Sequence, residues 1–526
     1  MTGLSILGIV VSVLIVVPLI VLAFLYFFDE KQTQHAVLRN FPILGRMRYL
    51  LEKIGPELRQ YLFDGDHSGK PFSREDYTDV IIPAKYQNNM VSFGSKRDFD
   101  KAGYYIRNAM FPKLGEELRV DNTHLLHSKK YKIDKDKLLN RREHIEDAEI
   151  KPWLLAEEDH IVIGPECRHP FIVRGQVGMS AMSYGSLGSR AITALSTGLG
   201  KAQGTWMNTG EGGLSPYHLK GNVDIIMQIG PGLFGVRTKD GQFDWEELKR
   251  KSELKQIKAI ELKLAQGAKA RGGHLDGKKV TPEIAEIRGL EPYKTVDSPN
   301  RFKEFGDIPS MVDMIEKIRD ISGLPVGIKM VVGSPADIEG LATFMKETGK
   351  GPDFITVDGG EGGTGATYQE LADSVGLPIK PAITLVHQTL KAYGVRDRVK
   401  LIASGKLFTP DRIAVVLGMG ADLVNIARAF MMTVGCIMAQ RCHTNTCPVG
   451  VATTDPKLQK ALDIEEKSYR VLNYLVTLRE GLFTAAAAAG LASTVEFSEA
   501  NVAYIDDKSQ HFTLNEIYET QKKQTS

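Results

Sequence analysis

Cysteine, net charge and long apolar runs are all scarce in this chain of 526 residues. Four cysteines are too few for a disulfide scaffold. The 66 lysines and arginines nearly balance the 64 acidic residues, a formal net charge of +2, so we expect no nucleic-acid partner. With 43% hydrophobic and 25% charged residues the composition is globular, which excludes wholesale disorder.

The one long apolar run lies at the N-terminus. No charged residue occurs between Leu4 and Phe28, and a helix of that length spans about 37 Å, enough for a hydrocarbon core of about 30 Å. A cleaved signal peptide is the alternative, but Met1 to Ser5 carries no lysine or arginine. We predict a retained transmembrane anchor over residues 1–30. Basic residues follow it, so the positive-inside rule predicts a single-pass protein of the cell membrane with its catalytic domain in the cytoplasm.

Three regions follow the anchor. Residues 31–155 are polar and mixed in charge, and we predict an N-terminal α+β extension there, with 129–137 as a solvated stretch. From 156 to 455 short apolar runs alternate with helical stretches, which indicates βαβ units and parallel strands. Residues 456–526 are predicted to form a C-terminal helical segment and a polar tail.

The alternation predicts an α/β fold, a (β/α)8 TIM barrel. Its length is close to the roughly 250 residues typical of such barrels. A doubly wound sheet is the alternative, but glycine-rich loops follow many strands rather than one switch point. Strands are predicted at 161–163, 171–173, 205–208, 225–229, 259–264, 326–332, 354–357, 399–403 and 423–426. Helices are predicted at 189–201, 310–322, 335–348, 381–393 and 411–417.

Glycine-rich loops follow the predicted strands, at the end where a barrel builds its active site. Small residues let a planar ligand approach the backbone, and the N–H groups of such turns bind phosphate. We therefore predict a phosphorylated cofactor. Gly405, Lys406 and Arg428 stand where barrels usually hold the phosphate. Turn geometry alone is the alternative explanation of each single loop.

Two lysines, Lys263 and Lys329, end apolar strands. A lysine inside a barrel mouth is costly unless it is paired or used. One interpretation is a structural ion pair with Glu211 or Asp358. The other is a cation for a flavin ring or a substrate carboxylate.

Three of the four cysteines, Cys436, Cys442 and Cys447, form the pattern C-x5-C-x4-C. Clustered thiols in a cytosolic chain indicate a metal rather than a disulfide. The final Cys-Pro is typical of ferredoxin-type loops, which favours an iron–sulfur cluster. A Cys3His zinc site that uses His443, or no metal at all, are the alternatives. Cys167 is interpreted as structural.

Together these motifs resemble the FMN-binding domain of glutamate synthase large subunits. The resemblance covers about residues 155–460, and its most specific segments are 180–185, 208–213, 264–269, 362–366 and 436–453. It implies a (β/α)8 barrel that holds FMN and a 3Fe–4S cluster. It also implies conversion of 2-oxoglutarate and ammonia, through 2-iminoglutarate, to glutamate.

The resemblance further implies residue roles. Cys436, Cys442 and Cys447 match the cluster ligands. The predicted catalytic residues are Lys263 and Gln266 near flavin and substrate, Glu211 beside the substrate pocket as a proton carrier, and Lys329 as a second cation for the dicarboxylate. The residues predicted to bind the cofactor are Ser180, Ala181, Met182, Ser183, Asn208, Lys263, Gly362, Gly363, Thr364, Gly405, Lys406 and Arg428.

The chain also departs from this family. Lys406 and Arg428 interrupt loops that the family usually makes richer in glycine, so the phosphate ligands stay open. No cysteine precedes Cys167, whereas full glutamate synthases begin with a glutaminase domain and its N-terminal catalytic cysteine. We therefore expect a synthase core that takes ammonia or another amine, from solution or from a separate amidotransferase subunit. Its electrons would come from an external donor such as ferredoxin.

Three competing functions stay open. The first is an N-alkylglutamate synthase-like enzyme that uses another amine. The second is a different FMN-dependent oxidoreductase of 2-keto or 2-hydroxy acids, for which a strand-end histidine is expected; His274 is the candidate. The third is a membrane-tethered electron-transfer protein without a substrate, which the set Lys263, Lys329 and Glu211 disfavours.

Overall fold

The computed structural model describes residues 3–137, 140–269 and 273–518, with side chains from residue 11 onward. The chain forms two compact units, Met1–Thr78 and Asp79–Ser526. The polar tail predicted after residue 518 lies outside the described residues.

The first unit is helical. It opens with the apolar helix Gly3–Lys31, the one helix in the described part of the chain that is long and apolar enough to cross a membrane. Its side chains from Val11 onward are almost all exposed. The elements that follow are Ala36–Asn40, Gly45–Leu58, a π-helical turn Arg59–Phe63, and Arg74–Tyr86, which includes the boundary with the second unit.

The second unit is built on a closed barrel of eight parallel strands, which confirms the predicted fold. Each strand pairs with the next, and the last pairs with the first. The strands are β1 Val177–Met179, β2 Trp206–Asn208, β3 Asp224–Ile229, β4 Ile257–Lys263, β5 Val326–Met330, β6 Phe354–Asp358, β7 Lys400–Ser404 and β8 Leu423–Ile426.

Helices connect most strands of the barrel, as predicted. Helix Pro335–Thr348 shows why the boundaries could be predicted: Pro335 lies in its first turn, and Gly349 ends it at a φ of +71°. The other helices after strands are Ser189–Ala202, Trp245–Ser252, Pro282–Arg288, Ile308–Ser322, Gln369–Ala372, Ile379–Ala392, Pro410–Gly418, Arg428–Thr433, Pro456–Gln459 and Ile464–Ala488. The link between β2 and β3 has only the 3-10 turn His218–Gly221.

The amino end of the barrel is closed by an antiparallel hairpin, Ile161–Ile163 with Phe171–Val173. Its buried side chains pack in one cluster with residues of six barrel strands, among them Trp206 and Phe354. Both hairpin strands were predicted, but β1 was missed. β1 has three residues, and its central Gly178 leaves the space that the Trp206 ring occupies, since a Cβ there would lie 2.1 Å from the ring.

Smaller sheets and the C-terminal segment complete the second unit. The stretch 129–137 lies within the hairpin Leu126–Lys137 and Asn140–Ile150, and its residues 132–137 are exposed, in keeping with the predicted solvated stretch. Helix Ile464–Ala488 packs on Ser189–Ala202 where Gly198 meets Val471. The other strands are Gly103–Ile106 with Val502–Ile505 and His511–Thr513, Val120–Asp121 with Leu154–Leu155, and His274–Leu275 with Val296–Asp297.

Candidate functional site

The carboxyl ends of β4, β5 and β6 bring charged side chains together. Lys263 is paired in register with Lys329 of the neighbouring strand, and Asp358 ends the next strand. All three side chains are buried, because each closes an apolar strand inside the barrel. Sequence reasoning placed these groups at one edge of the sheet, and the structure places them there.

Glu211, from the loop after β2, is shared by two lysines. Its Oε1 lies 2.5 Å from Nζ of Lys263 and 3.7 Å from Nζ of Lys269. Burial alone would raise the pKa of this carboxyl, but the charges of the two lysines outweigh burial and hold its pKa at about 2. Burial, reinforced by the charge of Lys263, lowers the pKa of Lys269 to about 8. Glu211 is therefore ionised at neutral pH, and Lys269 is the cation nearest to titrating.

Lys329 is paired with Asp358. Its Nζ lies 3.2 Å from Oδ2, and the same oxygen accepts a hydrogen bond from the backbone N–H of Gly267 at 2.9 Å. Both strand-end lysines therefore form the ion pairs that one interpretation of the sequence predicted, Lys263 with Glu211 and Lys329 with Asp358. Three lysines nevertheless share two carboxylates in this group, which leaves positive charge for an anionic ligand.

The loops after β4, β6 and β8 are linked to one another. Nε2 of Gln266 donates to the carbonyl of Gly363 at 2.5 Å, and Nη2 of Arg428 donates to the carbonyl of Glu361 at 2.6 Å. Gly363 must be glycine for this packing, since a Cβ would lie 2.6 Å from Nε of Arg428. The neighbouring Thr364 donates to the carbonyl of Ala366 at 3.1 Å. These hydrogen bonds join the loops into one wall of the barrel mouth. Among the residues predicted to bind the cofactor, this wall contains Gly363, Thr364 and Arg428.

The remaining predicted residues lie after β7, β1 and β2. Gly405 has a φ of +145° and Lys406 a φ of +50°, so the turn after β7 is tight. The Ser180–Ser183 loop follows β1, which lies between β8 and β2, and its backbone is bonded to both of these strands. The Ser183 hydroxyl accepts from the N–H of Gly212 at 3.2 Å. Asn208 is buried with both ends of its amide engaged, one to Glu261 and one to the N–H of Gly210.

Several residues of the site were missed by the sequence analysis. Glu261 is fully buried inside the barrel, where it accepts hydrogen bonds from Asn208, Gln228 and Thr356 at 2.8, 2.6 and 2.6 Å. The sequence feature that could have identified Glu261 is a carboxylate among the apolar residues of β4. The others missed are Lys269 and Arg288, and burial lowers the pKa of Arg288 to about 10.

The three clustered cysteines lie on the loop after helix Arg428–Thr433. All three are free thiols. Burial, together with the nearby thiols of Cys442 and Cys447, raises the pKa of Cys436 to about 12. Nζ of Lys279 donates to the carbonyls of Cys442 and Ser186 at 2.8 and 3.0 Å, so a barrel loop holds this segment. No set of three or more His, Cys, Asp or Glu side chains in the described residues is arranged to hold a metal ion.

Two further groups singled out in the sequence, Cys167 and His274, make their contacts outside the charge cluster around Glu211. Cys167 is near Asp353, whose carboxylate also binds the first N–H of β5, so this thiol belongs to the amino end of the barrel. Burial raises its pKa to about 11, in keeping with a structural role. His274 lies on the short sheet with Val296–Asp297, where its Nδ1 contacts Asp297 at 2.8 Å.

The chain is similar to a known protein family and to several known proteins. Residues 116–492 match the family described as the conserved region in glutamate synthase. The chain is 60% identical over 492 residues to the glutamate synthase large subunit-like protein YerD of Bacillus subtilis, covering 93% of this chain and 94% of that protein. It is 36% identical over 318 residues to the archaeal glutamate synthase [NADPH] of Methanocaldococcus jannaschii, spanning 58% of that protein's length.

Solved structures also match the chain at low sequence identity. A mandelate oxidase structure with (S)-4-hydroxymandelic acid matches with a TM-score of 0.42 and 14% identity, over 76% of this chain and 87% of that one. A flavocytochrome b2 mutant with pyruvate bound matches with a TM-score of 0.41 and 12% identity, over 87% of this chain and 85% of that one.

Proposed function

Because this chain belongs to the glutamate synthase family, we propose that it is an FMN- and iron–sulfur-dependent oxidoreductase. The proposed reaction is reductive amination of 2-oxoglutarate to glutamate, with external ammonia and an external electron donor such as ferredoxin. The observation that carries the proposal is the buried cluster of Lys263, Lys269 and Lys329 around two carboxylates. Its surplus cation suits a dicarboxylate substrate.

The barrel mouth fits a flavin phosphate cofactor. Oε1 of Gln228 and Nε of Arg288 are buried and, within the described residues, have no hydrogen-bond partner, as in a site that accepts a polar ligand. The wall of Gly363 and Arg428 and the turn at Gly405 face the same end of the barrel. The residues that would hold FMN are those predicted: 180–183, 362–364, 405–406, Asn208, Lys263 and Arg428. Bound FMN would supply the hydride for an imine carbon.

The protein side chains bind the substrate and deliver the proton. Lys263 and Lys329 bind the carboxylates of the substrate. Glu211 stays ionised, since its pKa is about 2, and it pairs with Lys263 at 2.5 Å. Proton delivery falls to Lys269, whose pKa of about 8 lies close to neutral pH. We thus move the proton-carrying role from Glu211 to Lys269.

The iron–sulfur part of the proposal rests on three neighbouring thiols of one loop, of which Cys447 is buried and Cys436 and Cys442 are half-buried. It is tested by iron and acid-labile sulfide analysis of anaerobically purified protein. Serine at any of the three positions should abolish bound iron, whereas Cys167→Ser should retain it. Equal iron content in all four variants would contradict the ligand assignment.

The membrane part of the proposal rests on the exposed apolar helix Gly3–Lys31. We propose that it anchors the chain as a single-pass protein of the cell membrane, with the barrel in the cytoplasm, because basic residues such as Lys31 and Arg39 follow the apolar run. Fractionation tests it: the full chain should stay with membranes in alkaline carbonate and be released by detergent.

Rapid mixing of the full chain, reduced anaerobically in detergent, tests the reaction itself. With 2-oxoglutarate and ammonium together, flavin absorbance should return and glutamate should form, while either alone should leave the flavin reduced. Reoxidation with methylamine but not ammonium would favour an N-alkylglutamate synthase. Absence of flavin would refute the proposal.

A variant pair on one strand tests the assigned residue. Lys263→Met should lower turnover by about 100-fold or more, the usual effect of losing a charge-stabilising donor. Lys258→Met is the matched control, since Lys258 lies near the start of β4 and faces Asp224 at 3.9 Å. Full turnover in Lys263→Met would remove that residue from the site.

A further inference from the structure

Helix Gly45–Leu58 carries an apolar face that is open in the structure. Met47, Leu50, Leu51 and Ile54 are 58, 51, 52 and 40% exposed, and Leu44, which precedes the helix, is 78% exposed. These residues recur at intervals of three and four. Such spacing places them on one side of a helix that turns 100° per residue.

The charged residues of this helix flank that face. Arg48 lies on one side of the apolar stripe, and Arg46, Lys53 and Glu57 lie on the other, by the same helical geometry. Glu52 lies away from the stripe, where it pairs with Arg48 at 2.7 Å. Basic residues bordering an apolar stripe are typical of helices that lie in a membrane interface, because long basic side chains reach from the acyl boundary to the lipid phosphates.

An ion pair fixes where this helix begins. Asp29, near the end of the apolar helix Gly3–Lys31, accepts hydrogen bonds from Nη2 and Nε of Arg46 at 2.6 and 2.9 Å and from the N–H of Ile43 at 3.0 Å. A charged pair is expensive in hydrocarbon, so it belongs at headgroup depth. Arg46 is the second residue of helix Gly45–Leu58, which therefore starts at that depth.

We propose that helix Gly45–Leu58 lies along the membrane surface, with its apolar face in the boundary between headgroups and acyl chains. This inference rests on the proposed membrane anchor. The occupant of the apolar face is the bilayer, because the ion pair holds the helix at the bilayer surface. With 14 residues the helix is about 21 Å long, too short to cross a membrane.

Tryptophan quenching in bilayers tests the proposal with the full chain. Met47→Trp, Glu52→Trp and Leu14→Trp are each reconstituted in vesicles with and without lipids brominated near the headgroup end of their acyl chains. The emission of the three native tryptophans is subtracted by means of the unsubstituted chain. Tryptophan at 47 should be quenched at least about twofold more than at 52, since interfacial helices bury their apolar face about 5–10 Å.

The outcomes distinguish failure of this inference from failure of the proposed membrane anchor. Quenching at 14 and 47 but not at 52 supports it. Quenching at 14 alone means that protein covers the helix, which overturns the inference and leaves the anchor standing. Quenching at none of the three refutes both, and equal quenching at 47 and 52 refutes an oriented helix. Ile54→Trp repeats the test from the same face if Met47→Trp does not fold.

Discussion

Replacing Glu211 by glutamine tests the charge cluster of the barrel mouth. The substitution keeps the size of the side chain but removes the carboxylate that Lys263 and Lys269 share at 2.5 and 3.7 Å. A pKa of about 2, against an ordinary 4.5, corresponds to about 3 kcal/mol of folding free energy at neutral pH. Breaking a buried ion pair from one side costs about 3–5 kcal/mol, which agrees. We expect Glu211→Gln to lose about 3 kcal/mol in the free energy of unfolding.

The pH dependence of this loss has a definite sign. Because folding lowers the pKa of Glu211, its stabilisation is complete above pH 4.5 and disappears as the pH falls towards about 2. The difference between variant and unsubstituted chain should therefore shrink in acid.

Urea unfolding of the full chain in detergent, followed by tryptophan fluorescence at neutral pH and near pH 3, measures the difference in stability. Glu465→Gln is the control, since that exposed carboxylate pairs with Lys129 at 2.8 Å and its loss should change little. Equal stability of Glu211→Gln and the unsubstituted chain at neutral pH, or a difference that is undiminished near pH 3, would refute the reasoning.

Three further changes probe the packing around the site. Glu261→Leu leaves three buried hydrogen-bond donors without an acceptor, at a cost of about 1–3 kcal/mol each in folding free energy, and should abolish folding. Glu261→Gln keeps an acceptor and should fold, as circular dichroism would show. Gly178→Ala should cost about 1–3 kcal/mol by overpacking against the ring behind β1, while Gly333→Ala, with open space around it, should leave the urea midpoint unchanged. Burial lowers the pKa of His218 to about 4 from 6.5, so stability should fall by about 2 kcal/mol between pH 6.5 and about 5, and His218→Gln should remove that fall.

Local patterns in the sequence were enough for most elements of the barrel. Short, largely apolar stretches predicted the later strands, and proline and glycine at helix ends predicted helices such as Pro335–Thr348. β1 was not predicted because its three residues, centred on Gly178, form no apolar run. Its strand conformation comes from pairing with β8 and β2. The hairpin 161–173 was predicted as strands, but its closure of the barrel depends on contacts with six distant strands.

The sequence by itself determined that lysines end two adjacent strands and that three cysteines share one loop, because both facts are local. Only the tertiary structure decided which carboxylate meets which lysine. Glu211 and Lys263 are 52 residues apart, and Lys269 reaches the same oxygen from a loop whose path no local pattern reveals. The lowered pKa values of Glu211 and Lys269 follow from burial and distance, and both quantities exist only once the barrel has closed.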